Sequence, residues 1–161
     1  MMSFRSILYP TDFSACSEAA IPMARALARE QGAKLVLLHI APIEIIPDGA
    51  YVVPMDLDAY REALDELRRR LEGPDMKLAI ETDIRQGDAA DEILKAADAW
   101  RSDLIVMGTH GRTGLGRLVL GSVAEAVMRH ANCPVLTIKN PTQPESAHAH
   151  GREQRHSILF F

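Results

Sequence analysis

The chain is 161 residues long, 47% hydrophobic, 25% charged and only 5% aromatic. At ~150 residues per domain this reads as one domain that buries ~70% of its unfolded surface, and so average a composition excludes wholesale disorder, collagen and coiled coil. A net charge of −4 with eight scattered aromatics speaks against both a duplex-DNA binder and a stacking platform for single strands.

Short apolar runs alternate with segments of helical period. Ile7-Leu8-Tyr9 is a brief apolar run ended by Pro10-Thr11-Asp12. A helix is expected from Ser14 or Ser17, with Ala20, Ala24, Leu27 and Ala28 on one face and Gly32 closing it. Pro22 lies inside that span, so it must sit in an early turn or kink the helix. Leu35 to Ile40 reads as a strand buried on both faces. Pro42, Pro47, Gly49 and Pro54 mark residues 41–55 as a loop. Leu57, Tyr60, Leu64, Leu67 and Leu71 predict a second helix that stops at Gly73-Pro74.

Leu78, Ile80, Thr82 and Ile84 alternate with charged residues, a half-polar pattern that suits a sheet-edge strand. Gly87-Asp88 opens a third helix with Ala89, Ile93, Ala96 and Trp100 inward, and Leu104 to Met107 is another fully buried strand. A glycine-rich loop over 108–116, a fourth helix to about His130 and a last strand from Pro134 to Ile138 complete the series. This order predicts an α/β fold, a parallel doubly wound sheet with right-handed crossovers. Residues 1–140 form the domain, and 141–161 read as a flexible tail that ends in Ile158-Leu159-Phe160-Phe161.

The segment from Gly108 to Ser122 holds five glycines within fourteen residues, between a buried strand and a helix. Open α/β sheets bind ligands at that place, and helix N-termini present free N–H groups to anions. Two familiar phosphate motifs fail here. Gly111 to Leu118 has the glycine spacing of a P-loop, but Arg117 and Leu118 replace its Lys and hydroxyl residue. Gly114-x-Gly116 begins a dinucleotide fingerprint, but Val119 stands where its third glycine belongs.

The spacing Gly108-x2-Gly111-x9-Gly121-Ser122 does match a pattern. With Tyr9-Pro10-Thr11-Asp12, His39-Ile40, Val106 to Gly111 and His130 to Val135, it resembles the universal stress protein family in its ATP-binding form, from about Ser3 to Lys139. One spaced glycine motif is a weak signal; four blocks in order are a strong one. The resemblance implies a three-layer open sandwich, a five-stranded parallel sheet of order 3-2-1-4-5 with four helices. It further implies that Pro10, Thr11, Asp12, Ile40, Met107, Gly108, His110, Gly111, Arg112, Gly121, Ser122 and Val123 line an ATP site. Asp12 would accept from ribose hydroxyls, the Ile40 backbone would read adenine, and amides of Gly111, Arg112, Gly121, Ser122 and Val123 would hold phosphates. A magnesium or manganese ion often bridges the phosphates in this family; the residues themselves reveal neither a metal site nor a catalytic residue. The resemblance also implies a homodimer through the strand Pro134 to Ile138, whose apolar edge needs covering.

Plainer roles exist for several of these residues. Asp12 suits a helix cap. His39 and His130 read as structural, one in a buried strand and one at a helix end where a cation complements the dipole. Cys16 and Cys133 have no metal-ligand spacing and read as small buried hydrophobes. The tail histidines His148, His150 and His156 lack a scaffold that would converge them on a metal. With no signal-peptide h-region and no ~18-residue apolar span, the expectation is a cytoplasmic stress-response module without nucleic-acid or membrane partners. It would bind ATP, hydrolyse it slowly at most and act on an unidentified regulatory protein. The rivals are a hydrolase of the adenine nucleotide α-hydrolase type, disfavoured by Pro10 to Ser14 where its SGGxDS-like loop belongs, and a nucleotide-free dimerisation module.

Overall fold

The apolar run Ile7-Leu8-Tyr9 lies within the first strand, which the computed structural model forms as β1 (Ser6–Pro10). The structure describes residues 3–45, 51–52, 57–73, 78–109, 120–139 and 158–160. After β1 come α1 (Ala15–Glu18), α2 (Ile21–Gln31), β2 (Lys34–Ala41), β3 (Glu44–Ile45) and β4 (Tyr51–Val52). Then follow α3 (Leu57–Glu72), β5 (Ile80–Gln86), α4 (Ala89–Ala99), β6 (Leu104–Gly108), α5 (Ser122–His130), β7 (Val135–Ile138) and β8 (Ile158–Phe160).

One sheet runs β5-β2-β1-β6-β7-β8. Its first five strands are parallel, which is the expected 3-2-1-4-5 order. Side-chain alternation divides the core between two faces. Ile7, Tyr9, Leu35, Leu37 and Val106 pack under α2 and α3, where Ala24, Ala28, Leu64, Leu67 and Leu71 are buried. Leu8, Val36, Leu38, Ile105 and Met107 pack on the other face, against Ile93 and Ala96 of α4 and Ala124 and Val127 of α5. Each fully buried Leu or Ile contributes about 1.5–3 kcal/mol over its exposed state, and this burial holds the three layers together.

The half-polar strand β5 lies at the sheet edge, as its pattern requires. Its polar positions have partners: Asp83 accepts from Trp100 Nε1 at 2.8 Å and from Arg85 Nε at 3.0 Å. Lys34 Nζ sits 5.3 Å from the Trp100 ring centre, a cation–π contact that ties the start of β2 to the end of α4.

Four boundaries differ from expectation. The first expected helix is two, because Pro22 has no N–H to give and takes the N1/N2 position of α2, where that donor is not needed. Of the four expected helical regions, the first is thus divided into α1 and α2, and the other three hold α3, α4 and α5. Within the expected loop 41–55, β3 and β4 form an antiparallel pair. The fourth expected helix begins only at Ser122, with Leu120 and Gly121 extended before it. The expected tail carries β8, which pairs antiparallel with β7. Ending of α2 at Gly32 follows the reading: its φ of +64° is the left-handed cap that glycine adopts without strain.

Candidate functional site

The site starts in the turn that leaves β1. Thr11 N donates to Leu38 O at 2.8 Å, which extends the β1–β2 ladder past Pro10. The Thr11 carbonyl then accepts from His39 Nδ1 at 2.8 Å, so that nitrogen carries its proton. His39 is buried and its ring lies between Phe13 and Tyr60, at centroid distances of 4.8 and 4.4 Å. The expected structural role of His39 thus has a target: it clamps the turn that carries Asp12.

The rest of the turn is equally tied. Phe13 N donates to Thr11 Oγ1 at 3.0 Å, and Thr11 Oγ1 bonds Ser17 Oγ at 3.2 Å. Ser14 caps α1 through its side chain, accepting from Ser17 N at 3.2 Å. Tyr9 Oη donates to Ser17 O at 2.8 Å. Phe13 has φ +60°, a strained conformation for a residue with a Cβ, which such a network holds in place. Asp12 Oδ1 accepts from Ser14 N at 3.0 Å, so Asp12 shapes the turn, while the helix cap expected of it is supplied by Ser14. Burial pushes the Asp12 carboxyl up, but hydrogen bonds from Ser14 and Ser17 outweigh it and hold it below the usual carboxylate value. Asp12 is therefore an ionised acceptor at neutral pH.

On the neighbouring strand, β6 ends at Gly108 beside this turn. A Cβ at Gly108 would lie 2.5 Å from the Cys16 carbonyl oxygen and 2.8 Å from its carbon. Glycine there is demanded by backbone packing of β6 on α1, independently of any ligand. Thr109 N donates to Ile138 O at 3.1 Å, and Gly121 N donates to Thr109 O at 2.8 Å. These two bonds bring the start of α5 back to the end of β6. Gly121 is the N-cap of α5 and offers no side-chain cap. The first intrahelical bond is Glu125 N to Gly121 O, so the N–H groups of Ser122, Val123 and Ala124 precede it and carry the helix's positive end.

Both ends open on one cavity of about 390 Å³. Of the expected site residues, Pro10, Thr11, Asp12, Ile40, Met107, Gly108, Gly121, Ser122 and Val123 all line it. His110, Gly111 and Arg112 lie outside the described residues. Ser17, Leu38, Ala89, Ile93, Thr109 and Ala124 also line it and were missed. Periodicity held the signal for most of them: Leu38 is two positions before Ile40 on the strand, and Ala89 and Ile93 are one helical turn apart on the inward face of α4. A second cavity of about 290 Å³ between the ends of α4 and α5 is lined by Asp98, His130 and Cys133 and gathers none of the expected site.

Cys16 is buried and Cys133 half-buried, both as free thiols. Burial, with Asp98 and Asp103 nearby, pushes the Cys133 thiol up. His130 ends α5 with Nδ1 2.9 Å from Ala126 O, the helix-end position expected for it. Among the described residues no group of three or more His, Cys, Asp or Glu side chains is placed to hold a metal ion, and no helix is long and apolar enough to cross a membrane.

The universal stress protein family model matches residues 3–139. The chain belongs to the universal stress protein family. Universal stress protein MJ0531 of Methanocaldococcus jannaschii is 37% identical over 144 residues, covering 86% of this chain and 84% of its own. The fold of UspA from Lactobacillus plantarum superposes with a TM-score of 0.67 at 29% identity, over 85% of this chain and 99% of that one. A universal stress protein solved in complex with cAMP superposes with a TM-score of 0.66 over 86% of this chain and 99% of that one; at 24% identity that likeness is one of fold. The family match ends at Lys139, so β8 lies beyond it.

Proposed function

We propose that this universal stress protein binds ATP in the cavity between β1, β2, β6 and α5, as a cytoplasmic regulatory or sensing module. One observation carries the reading. An ionised carboxylate, Asp12, and the uncapped first turn of α5 line the same cavity, whose walls include Leu38, Ile40, Ile93 and Met107. A nucleotide needs these three environments together: an acceptor for ribose hydroxyls, N–H donors for phosphate oxygens and apolar walls for a base. In this reading the Ile40 backbone reads the adenine edge, and Gly111, Arg112 and His110 extend the phosphate contacts. That another universal stress protein holds cAMP accords with this ligand class.

Hydrolysis is slow in this reading. Among the described lining residues Asp12 is the only ionisable side chain, and a carboxylate held low by hydrogen bonds is a poor general base. A magnesium or manganese ion would be carried by the phosphates. The reading includes a homodimer in which β7 pairs antiparallel with β7 of a second copy, and a regulatory protein that responds to the bound state. The decisive experiment purifies the protein from cells, identifies its bound small molecule by native mass spectrometry and titrates the stripped protein with ATP by calorimetry. Adenine nucleotide at one per chain, with saturable binding heat, is expected. Its absence from both measurements would overturn the reading, and turnover of ~1 per second or faster would overturn slow hydrolysis.

A further inference from the structure

We propose that β8 is an intrachain cap on the edge of β7 that competes with a second copy of this chain for that edge; the inference rests on the β7 dimer of the preceding reading. A strand in a sheet has two edges, and those of β7 are taken by β6 and β8. The β8 pairing is in register over Leu136↔Phe160, Thr137↔Leu159 and Ile138↔Ile158. Antiparallel pairing of β7 with another β7 needs this same edge, so the two arrangements exclude each other.

Sequence and register together single out this segment. Ile138 and Ile158 are direct partners, so the chain leaves β7 and returns to the same level. Antiparallel neighbours need only about two connecting residues, yet 19 residues, 139–157, separate them. Those 19 include no Val, Ile, Leu, Met, Phe, Tyr, Trp or Cys, and then the chain ends in Ile-Leu-Phe-Phe. A polar tether carrying one apolar strand at its tip is the composition of a tethered competitor. Because β8 belongs to the same chain as β7, its pairing is intramolecular, with an effective concentration on the order of a millimolar for a connection of this length. A second copy at micromolar concentration is therefore at a disadvantage for the edge. Because β8 pairs through only three residues, it can be displaced. The family match stops at Lys139, so β8 lies outside the matched domain.

The test uses the full chain. Leu159→Pro, always combined with Ile158→Pro because successive N–H groups of an antiparallel strand face the ladder alternately, removes a ladder donor from β8, and sedimentation velocity across the micromolar range should show dimerisation at least about tenfold tighter than in the wild type, because the tethered competitor is lost. In parallel, Ile138→Cys/Ile158→Cys in a Cys133→Ser background should form an intrachain disulfide on oxidation, and the oxidised chain should stay monomeric at concentrations where Leu159→Pro dimerises. Failure to form that disulfide, or formation only between chains, would overturn the cap. If the disulfide forms but neither protein dimerises at any concentration, the β7 dimer reading fails and the competition with it. If wild type and Leu159→Pro dimerise equally, the dimer reading stands and the competition is refuted.

Discussion

Gly108→Ala is the most informative single change, because its expected effect follows from backbone geometry alone. The new Cβ would lie 2.5 Å from Cys16 O, 2.8 Å from Cys16 C and 3.2 Å from Ser17 N. Carbon–oxygen contacts normally close no nearer than about 3.3 Å, so β6 and α1 must part by roughly 0.8 Å. None of these neighbours is the far end of a flexible side chain. Overpacking of this kind costs about 1–3 kcal/mol, which for a chain of this size lowers the melting temperature by about 2–12 °C. The displaced backbone includes Ser17, whose hydroxyl holds Thr11, so the shift passes to Asp12 and should also weaken ATP binding, by about tenfold. Gly32→Ala is the control. Gly32 has φ +64° but nothing within 4 Å of an added Cβ, so it should lose about 1 kcal/mol of stability and none of its ATP affinity. Calorimetric melting and ATP titration of both variants check the argument. A Gly108→Ala protein as stable as the wild type within about 0.5 kcal/mol, or one no worse than Gly32→Ala in both assays, would refute it.

Asp12→Asn keeps the shape of the turn but removes the charge. ATP affinity should fall about 10–100-fold, the value of hydrogen bonds to a charged acceptor, while 2′,3′-dideoxy-ATP should bind wild type and variant equally weakly; equal affinity of the wild type for both nucleotides would rule out the ribose role. Burial, against weaker opposing hydrogen bonds from Thr11 and Ser17, pushes the Tyr9 hydroxyl up from 10.0 to about 12. Because the folded state then keeps its proton longer than the unfolded one, the contribution is complete below pH 10 and is lost as pH rises from 10 towards 12, by a few kcal/mol in all. Tyr9→Phe should be less stable at neutral pH by about 1–2 kcal/mol, since Ser17 O loses its donor. It should also show a flatter decline in denaturant-measured stability between pH 10 and 12, and parallel declines would count against the assignment.

The parts of the fold that were legible in the sequence are those set by local pattern. Fully apolar runs such as Leu35–Leu38 and Leu104–Met107 can only be strands covered on both faces, and the alternating Ile80–Arg85 can only lie at an edge. Nine of the positions that the family resemblance implied, through the glycine spacing and the Tyr9 to Asp12, His39-Ile40 and Val106 to Gly111 blocks, line the cavity. What escaped was non-local. The purpose of Gly108 is a contact with Cys16, far away in sequence, and that of His39 is a bond to Thr11 O. The hairpin of β3 and β4 is two residues on each side, too short for any period to register. The late start of α5 depends on Gly121 N reaching Thr109 O, a bond no helix propensity contains.

By itself, then, the amino-acid order determined the five central strands, that they run parallel, and the helical regions between them, because hydrophobic period and strand–helix alternation leave few ways to bury these faces. Only the tertiary structure decided how the site is held: that the Asp12 turn is clamped by His39 and Ser17, that β6 meets α1 backbone to backbone, and that α5 presents uncapped N–H groups beside an ionised carboxylate. It also decided which strand closes the sheet. Edge pairing depends on which backbone groups meet in space, and the last apolar residues of a polar tail carry no local mark of the partner they find.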